Sequence, residues 1–409
     1  MVQTVPRIPA QRILVVMPNW LGDGVMATPL LRELRVLYPQ AHIATLQKPL
    51  LGAVTSGLPF VNAVMEYPTR STGGAGRQMA TVLRWMRDNH FDLAILLPNS
   101  FRSAWLAWRA GIPRRLGYAR DGRQMFLTDR LQPLKRRPEE KLTAFGYHLV
   151  QRQIAQQLAT GSTNMADPQP PVLGRMQRLM ASYARHLAWQ PLPTIDYYLA
   201  LASYLGGNAD DRKMQLGITP EETAAAQEVL RVLPARRPLV ALVPGANFGA
   251  SKCWPPERFA VLAGALSQQR GATSILIAGP MEQPIAQAIM RAYQAGGHSP
   301  EGLIDLRQLP NITPPGLGTI KALLSHCQLM VCNDTGPRHF AAALDVPLVT
   351  LFGPTDPRWA ETFTSKERLV RVPVGCGPCQ LKKCPIDHRC MTRLDVDQVL
   401  TAALAQLPV

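Results

Sequence analysis

The sequence predicts an α/β protein made of two units in series, each a parallel sheet with helices on both faces. Three observations carry this. Short apolar runs alternate with helical-period segments between residues 13 and 97. A stretch rich in Ser, Thr, Asn, Pro and Gly, Thr160–Pro171, breaks the pattern. The alternation then restarts at Leu239 and runs to the C-terminal helix. Strands that alternate with helices form parallel sheets, because each crossover must travel back over a face.

The elements follow in order. Ile13–Met17 is a buried strand ending at Pro18-Asn19. Residues 25–37 place Val25, Met26, Leu30, Leu31, Leu34 and Leu37 at helical spacing, with Pro29 early in the helix. His42–Gln47 is a strand, a helix carries Trp85 and Met86, and Asp92–Leu97 is a strand. The region 155–192 reads as an insertion, with a helix at Met176–Trp189. In the second half, strands are expected at Leu239–Val243, Ser274–Ala278, Leu303–Leu306, Leu329–Cys332 and Leu348–Phe352. Helices are expected at Pro256–Gln268, Pro284–Tyr293, Thr319–Cys327, Arg338–Leu344 and Val396–Leu407. Ligands of such sheets bind beyond the carboxyl ends of the strands, so a cleft between two such domains is the expected site.

With 409 residues the chain has room for two or three domains with ordinary cores. Its 46% hydrophobic and 18% charged residues are those of a globular protein, not a disordered or fibrous one. Neither a cleavable leader nor a run of about 18–20 apolar residues is visible, so a cytoplasmic protein is expected, with attachment to a membrane surface left open. The net charge of +16 is uneven. Residues 1–192 hold 24 Lys+Arg against 10 Asp+Glu, while 193–409 hold 20 against 18. The first half therefore faces something anionic: nucleic acid, a membrane surface or an acidic substrate.

Four segments follow strands and carry chemistry. Pro18-Asn19-Trp20-Leu21-Gly22-Asp23-Gly24 puts Asp23 at the start of a helix. Two readings stand: an N-cap accepting backbone N–H groups, or a general base at an exposed strand end. Pro244–Pro255 holds Gly245, Asn247, Gly249, Ser251 and Lys252 between a strand and a helix. Glycines admit a phosphate to the backbone, and the lysine and helix start supply positive potential. It is not a Walker A loop, and no G-x-G-x-x-G follows the first strand, which argues against a dinucleotide oxidoreductase. Asn333–His339 empties a buried strand into a helix start. Thr335 and Gly336 can donate to phosphate oxygens, Asp334 can orient His339 or a sugar hydroxyl, and a plain helix cap is the competing reading. Phe352–Trp359 is a proline-rigid turn, equally architectural or ligand-bearing. Two anion-friendly turns in one unit favour a nucleoside diphosphate.

Seven cysteines are present. Cys253, Cys327 and Cys332 are isolated packing residues, whereas Cys376, Cys379, Cys384 and Cys390 fall within fifteen residues, with His388 among them. Their spacing suits either a tetrahedral structural zinc or reduced structural thiols. Disulfides are disfavoured in the cytosol.

Taken together, the segments resemble the glycosyltransferase family 9 enzymes, the ADP-heptose heptosyltransferases of lipopolysaccharide assembly, and most of all their heptosyltransferase II subgroup. The resemblance rests on Pro18–Asp23 with Met26–Pro29, Asn99–Ser103, Pro244–Pro255, Asn333–Ala341 and Leu351–Trp359, and spans 12 to about 392. It implies a GT-B fold: two Rossmann-like domains facing across a cleft. These would be residues 1–195 for the acceptor, with the insertion near 155–192, and 196–409 for the nucleotide sugar, with the last helix packing back on the first domain. It implies an inverting transfer with no catalytic metal. Asp23 then becomes the base. Asn247, Ser251, Lys252, Glu282, Asp334, Thr335, Gly336 and His339 become the donor site. Some relatives carry hydroxyl side chains where this chain has Asn247 and Phe248; backbone N–H groups or Ser251 are the expected replacements. The implied partners are ADP-heptose and a phosphorylated, Kdo-bearing lipid A core at the inner leaflet. Asn19, Trp20, Asn99, Arg102 and Arg120 are the candidates for meeting that acceptor.

Other classes remain to be weighed. A family 9 transferase could use another nucleotide sugar, since the motifs read the diphosphate better than the sugar. A basic α/β protein could bind nucleic acid, yet aromatics are only 6% and do not interleave with the arginines. Arg102, Arg109, Arg114, Arg115, Arg120, Arg123 and Lys135-Arg136-Arg137 are the candidate basic face. Exposed charges are screened within about 10 Å at 0.1 M salt. Binding to anionic vesicles or acceptor, followed by sedimentation across a salt series, should therefore fall steeply as salt rises; salt-independent binding would contradict the basic face.

Overall fold

The computed structural model describes residues 8–67, 74–135, 138–160, 168, 174–176, 190–234 and 238–407. The expected helix at Met176–Trp189 and the pair Arg136-Arg137 lie almost wholly or wholly outside them. The chain divides into two compact units.

The first unit comprises Met1–Leu134, Leu192–Thr219 and Glu361–Phe363. Its strands are β1 (Arg12–Val16), β2 (His42–Gln47), β3 (Ala63–Glu66), β4 (Leu93–Leu96), β5 (Arg114–Tyr118) and β6 (Asp129–Leu131). They form one sheet in the order β3-β2-β1-β4-β5-β6, and every pair is parallel. The apolar run of β1 is continuous because parallel strands are buried on both faces; Ile13, Leu14, Val15 and Val16 are essentially inaccessible. The helices are α1 (Leu21–Met26), α2 (Thr28–Leu37), α3 (Gly52–Thr55), α4 (Ala75–Asp88) and α5 (Phe101–Arg109). Val82 and Met86 of α4, with Ala104 and Ala107 of α5, close one face over Leu14, Val16, Ala44, Leu46, Ala94 and Leu96.

The single helix expected over 25–37 is two. Thr28 and Pro29 open α2, and Pro29 has no N–H to continue α1. The Thr28 hydroxyl donates to Val25 O at 2.8 Å and accepts from Gln215 N at 2.9 Å, fixing the break.

The second unit comprises Lys135–Pro191, Pro220–Ala360 and Thr364–Val409. The expected boundary at 195 is therefore not where the chain divides. Helix α6 (Pro138–Ala159) belongs to the second unit, where Val150 and Ile154 are fully buried. Helix α7 (Thr194–Tyr204) returns to the first unit and packs on α2. Both helices were unread at 135–204 because the polar insertion masks the chain's return.

The remaining strands, β7 (Leu239–Val243), β8 (Thr273–Leu276), β9 (Leu303–Asp305), β10 (Leu329–Asn333), β11 (Leu348–Leu351) and β12 (Glu367–Val370), run in the order β12-β11-β10-β7-β8-β9. This sheet is also all-parallel. Around it lie α8 (Pro220–Val232), α9 (Pro256–Arg270), α10 (Gln283–Ala295), α11 (Leu317–Leu324), α12 (Gly336–Ala343), α13 (Arg389–Thr392) and α14 (Val396–Gln406). Trp254, Phe259, Leu262 and Leu266 seat α9 on Val240, Leu242, Leu276, Val331, Val349 and Leu351. Helix α14 opens with an Asp395–Gln398 capping box, and Val399 and Ala403 join that same core. So the last helix is built into the second unit's core, because its apolar stripe is used there.

In both sheets the chain winds outward one way from the first strand and then restarts on its other side. The switch points are β1/β4 and β7/β10. Connections diverge there, which is where sheets of this kind bind ligands, beyond the carboxyl ends of the strands.

One buried pair tests the packing of the second unit. Lys321 on α11 is fully buried, with Nζ 2.9 Å from the Glu222 carboxylate on α8. Glu222→Ala should cost about 3–5 kcal/mol in chemical denaturation, since it strands a buried charge. Adding Lys321→Met should restore most of that loss.

Candidate functional site

The chemistry-bearing segments lie at the two switch points. In the first unit, the 18–24 loop leaves β1 and the Asn99–Ser103 segment leaves β4, which pairs directly with β1. Asn19 and Trp20 are exposed, Trp20 at 53%. The N-cap of α1 is Trp20, with no side-chain capping bond, and Asp23 lies inside the first turn. The N-cap reading of Asp23 therefore fails. Its carboxylate is half-buried above Tyr198 of α7, whose phenol is pushed well up, first by burial and then by the Asp23 charge. Asn99 Oδ1 accepts from the Tyr197 hydroxyl at 3.1 Å and from Arg123 Nη2 at 3.1 Å. Arg120 bonds the same tyrosine hydroxyl. Tyr197 stacks on Tyr118, with centroids 3.7 Å apart. Arg102 is exposed on the first turn of α5 and lies over the Tyr67 ring at 5.9 Å.

Part of the expected basic face is internal. Arg123 is fully buried; its guanidinium donates to Tyr118 O at 2.9 Å and to Pro98 O, and burial lowers its pKa to about 10. Arg114 Nε donates to Asp129 at 2.8 Å, and Arg115 Nε donates to Phe126 O at 2.6 Å. Arg123 and Arg115 brace the 112–131 region through its carbonyls, whereas Arg114 is exposed and pairs with the buried Asp129 carboxylate.

In the second unit, Asn333 ends β10 and ties down the loop after β7. Its side chain is fully buried, donates to Pro244 O at 2.5 Å and accepts from Trp254 N at 3.2 Å. Both ends of the 244–254 loop are thereby pinned. Lys252 Nζ reaches Asp334 Oδ2 at 2.5 Å, and Thr355 Oγ donates to the same oxygen at 2.8 Å. Arg338 Nη1 stands 3.7 Å from Asp334 Oδ1. It is held from behind by a two-pronged bond to Glu367, at 2.6 and 2.9 Å. Burial alone would raise the Asp334 carboxyl; Lys252 and Arg338 bring it below the ordinary value. Thr335 is the N-cap of α12, and Gly336 is its first residue.

His339 is buried beside this network, and its Nδ1 has no hydrogen-bond partner among the described residues. Burial, then the Arg338 charge, lowers its pKa to about 3. It is a neutral imidazole.

Glu282 follows β8. Its Oε2 accepts from Gly279 N at 2.8 Å, and the carboxylate occupies the space a Cβ on Gly245 would need. Gly245 thus admits an acid to the rim of the loop. Asn247 is exposed. Ser251 is placed differently from expectation: it is buried, and its hydroxyl donates to Leu381 O at 2.6 Å. It braces the 376–390 segment and is not a replacement for the hydroxyls seen in relatives. Thr355, Arg338 and Glu367 were not singled out as site residues from sequence. Thr355 and Arg338 lie in segments that the sequence marks, the proline turn and the start of α12, whereas nothing local marks Glu367.

The four clustered cysteines are free thiols; Cys376 and Cys390 are buried, Cys379 and Cys384 half-buried. Among the described residues no three His, Cys, Asp or Glu side chains converge as a metal-ligand group. Cys384 Sγ accepts the His388 N–H at 3.3 Å. Burial, then the neighbouring Cys379, Cys376 and Cys384, push the Cys390 thiol up to about 12.

The model of glycosyltransferase family 9 (heptosyltransferase) matches residues 79–186 and 173–389. Lipopolysaccharide heptosyltransferase 2 of Escherichia coli is 28% identical over 367 residues, covering 89% of each chain. Lipooligosaccharide heptosyltransferase 2 of Haemophilus influenzae is 26% identical over 369 residues, again 89% of each. The solved structure of Escherichia coli ADP-heptose LPS heptosyltransferase II superposes with a TM-score of 0.68 at 23% identity, covering 97% of this chain and 98% of that one. A family 9 glycosyltransferase from Veillonella parvula gives 0.69 at 20%, covering 97% of each. These two share the fold.

The His339 imidazole sets a pH dependence. Unfolded, it titrates near 6.5; folded, near 3. The unfolded state binds the proton more readily, so stability is complete above pH 6.5 and is lost as pH falls toward 3, by up to about 1.4 kcal/mol per unit. Denaturation of wild type at pH 7 and 5 should show this loss, and His339→Gln should flatten it.

Proposed function

The chain belongs to glycosyltransferase family 9, and we propose on that footing that it transfers heptose from ADP-heptose to the inner core of lipopolysaccharide. The observation that carries the donor assignment is the constellation at β7/β10: a pinned glycine loop, Lys252 held on Asp334, and the Thr335-Gly336 helix start. Such a turn offers N–H and hydroxyl donors and a cation to a diphosphate. Glu282 stands at the loop rim, where ribose or base hydroxyls need an acceptor. His339 is neutral and lies behind the turn, so its part is to shape the turn.

Asp23 is assigned as the general base. It removes the proton from an acceptor hydroxyl while that oxygen bonds the anomeric carbon. The bond from that carbon to the diphosphate breaks, and its electron pair leaves with ADP. Attack from the face opposite ADP inverts the centre. A carboxylate close to the reacting sugar also favours the positive charge of the transition state. Lys252 and the Asp334–Gly336 turn meet the negative charge growing on the leaving group. Side-chain cations thereby do what a metal ion would otherwise do, and the proposed catalysis is metal-independent.

Asn19, Trp20, Asn99, Arg102 and Arg120 surround the β1/β4 switch point and are assigned to the acceptor. Arg120 and Asn99 are held by one hydroxyl, that of Tyr197, which keeps a cation and an amide in fixed register for a Kdo carboxylate or core phosphate. No helix among the described residues is long and apolar enough to cross a membrane. The proposed location is the cytoplasmic face of the inner membrane, reached through exposed arginines such as Arg102 and Arg109.

Asp23→Ala should reduce transfer by at least ~10³-fold while leaving ADP affinity within about twofold. Lys252→Ala should instead weaken ADP. Radiolabelled transfer and calorimetry measure the two. Retained turnover in Asp23→Ala would remove it from the mechanism, and preference for UDP over ADP would overturn the heptose donor while sparing the fold.

A further inference from the structure

The segment carrying the four cysteines is unabsorbed by the mechanism, yet it lies directly on the phosphate loop. Ser251 alone makes three contacts with it. Its N–H donates to Lys382 O at 3.4 Å, its hydroxyl donates to Leu381 O at 2.6 Å, and its carbonyl accepts from His388 Nε2 at 2.6 Å. Gly249, at φ +155, packs so closely on the Lys382 carbonyl that any Cβ there would clash. Gln380 N donates to Pro354 O at 2.8 Å, tying the same segment to the turn after β11. Residues 380–388 are thus clamped by backbone contacts over two of the turns that build the donor site.

The clamp has a consequence for charge. The Phe248 ring carries two ammonium groups: Lys252 Nζ at 4.7 Å from its centroid and Lys382 Nζ at 6.0 Å. Lys252 is neutralised by Asp334, and Arg338 by Glu367. Lys382 is exposed and makes no ion pair among the described residues. A ring face offsets an exposed ammonium only in small part. With Lys252 compensated by Asp334, the Lys382 ammonium is the charge beside the ring left to meet an anion. Phe248 stands in the stretch where some relatives carry hydroxyls, so here an aromatic ring that gathers two lysines takes the place of hydroxyl donors.

We propose that Lys382 is a second cation for the donor diphosphate, so that the 380–388 segment completes the phosphate site that the 244–254 loop begins. This rests on the donor reading above, and its ligand class is the nucleoside diphosphate. Lys382 binds at the phosphates, not at the base or sugar.

The test is calorimetric titration of ADP and of adenosine into wild type, Lys382→Ala, Lys382→Arg and, as a neighbouring exposed control, Lys383→Ala. Lys382→Ala should weaken ADP about tenfold and leave adenosine unchanged, since a charge-assisted contact to phosphate is lost and none to the nucleoside. Lys382→Arg should retain most of the affinity, and Lys383→Ala should match wild type. In turnover assays, Lys382→Ala should raise the donor KM more than it lowers kcat. ADP affinity equal to wild type in Lys382→Ala would overturn the proposal. So would a parallel loss of adenosine, which marks a disturbed loop and not a missing cation. If wild type prefers a different nucleoside diphosphate, the ADP donor falls, and the same variants read with that nucleotide still decide Lys382. If wild type binds no nucleoside diphosphate, both readings fall together.

Discussion

The proposed donor half-site is organised around one buried carboxylate. Asp334 is kept ionised against the cost of its burial by Lys252 and Arg338, and everything nearby follows from that charge. Arg338 is buried too and needs its own counter-ion, so Glu367 must reach in from the edge strand β12. His339, one residue on, cannot also be charged, and it is held neutral. Thr355 fills a lone pair of Asp334 that would otherwise be buried without a donor. A buried charge network tolerates few vacancies, because removing one partner strands another in low dielectric. The result is a lysine with a fixed position. It can turn to a diphosphate at the cost of one ion-pair contact, while Arg338 still compensates Asp334.

That network explains what was and was not legible beforehand. The inner strands β1, β4, β7, β8, β10 and β11 are visible because a strand buried on both faces is a largely apolar run, whereas β3, β5, β6 and β12, toward the sheet edges and carrying charged residues, were not expected. Lys252 and the Asp334-Thr335-Gly336 turn are visible because each combines a strand end with polar or turn residues. Glu367 is invisible. It opens the edge strand β12, 33 residues after Asp334, and nothing local marks it as the partner of Arg338. Its role depends on β12 pairing with β11, a long-range event. The same reason hides α6 and α7. Each begins just after the chain has crossed from one unit to the other, and periodicity carries no information about which sheet a helix will cover. The one-helix expectation at 25–37 erred for a local reason: a proline at a second helical position starts a helix as readily as it interrupts one.

Cysteine spacing was legible as a motif but not as chemistry. Four thiols within fifteen residues suggest a tetrahedral site, yet spacing fixes only chain length, and side-chain direction decides ligation. Here the segment's backbone is committed to Ser251, Gly249 and Pro354. Burial and the neighbouring thiols push the Cys390 thiol up, so in the metal-free protein it packs as a small apolar group. The segment's contribution to the site is then made by its carbonyls and by Lys382.

The charge asymmetry changes meaning in the same way. Counted along the chain, the excess of Lys and Arg in the first half is a basic face. Placed in the structure, Arg123 is buried and bound to backbone carbonyls, Arg115 is half-buried on Phe126 O, and the exposed Arg114 is paired with Asp129, so these three stabilise the β4–β6 end of the sheet and their charge is largely spoken for. Arg102, Arg109 and Lys135 are exposed, and Arg120 is held at the β1/β4 switch point by Tyr197. These two groups act over different ranges. Exposed side chains on flexible stems act through a screened field and steer an anionic surface without selecting it. Arg120, oriented by a tyrosine that is itself stacked and bonded to Asn99, can discriminate one anion's geometry from another. The proposed lipid-borne acceptor would use both, a field to bring it to the sheet's carboxyl end and a fixed cation to set its orientation there.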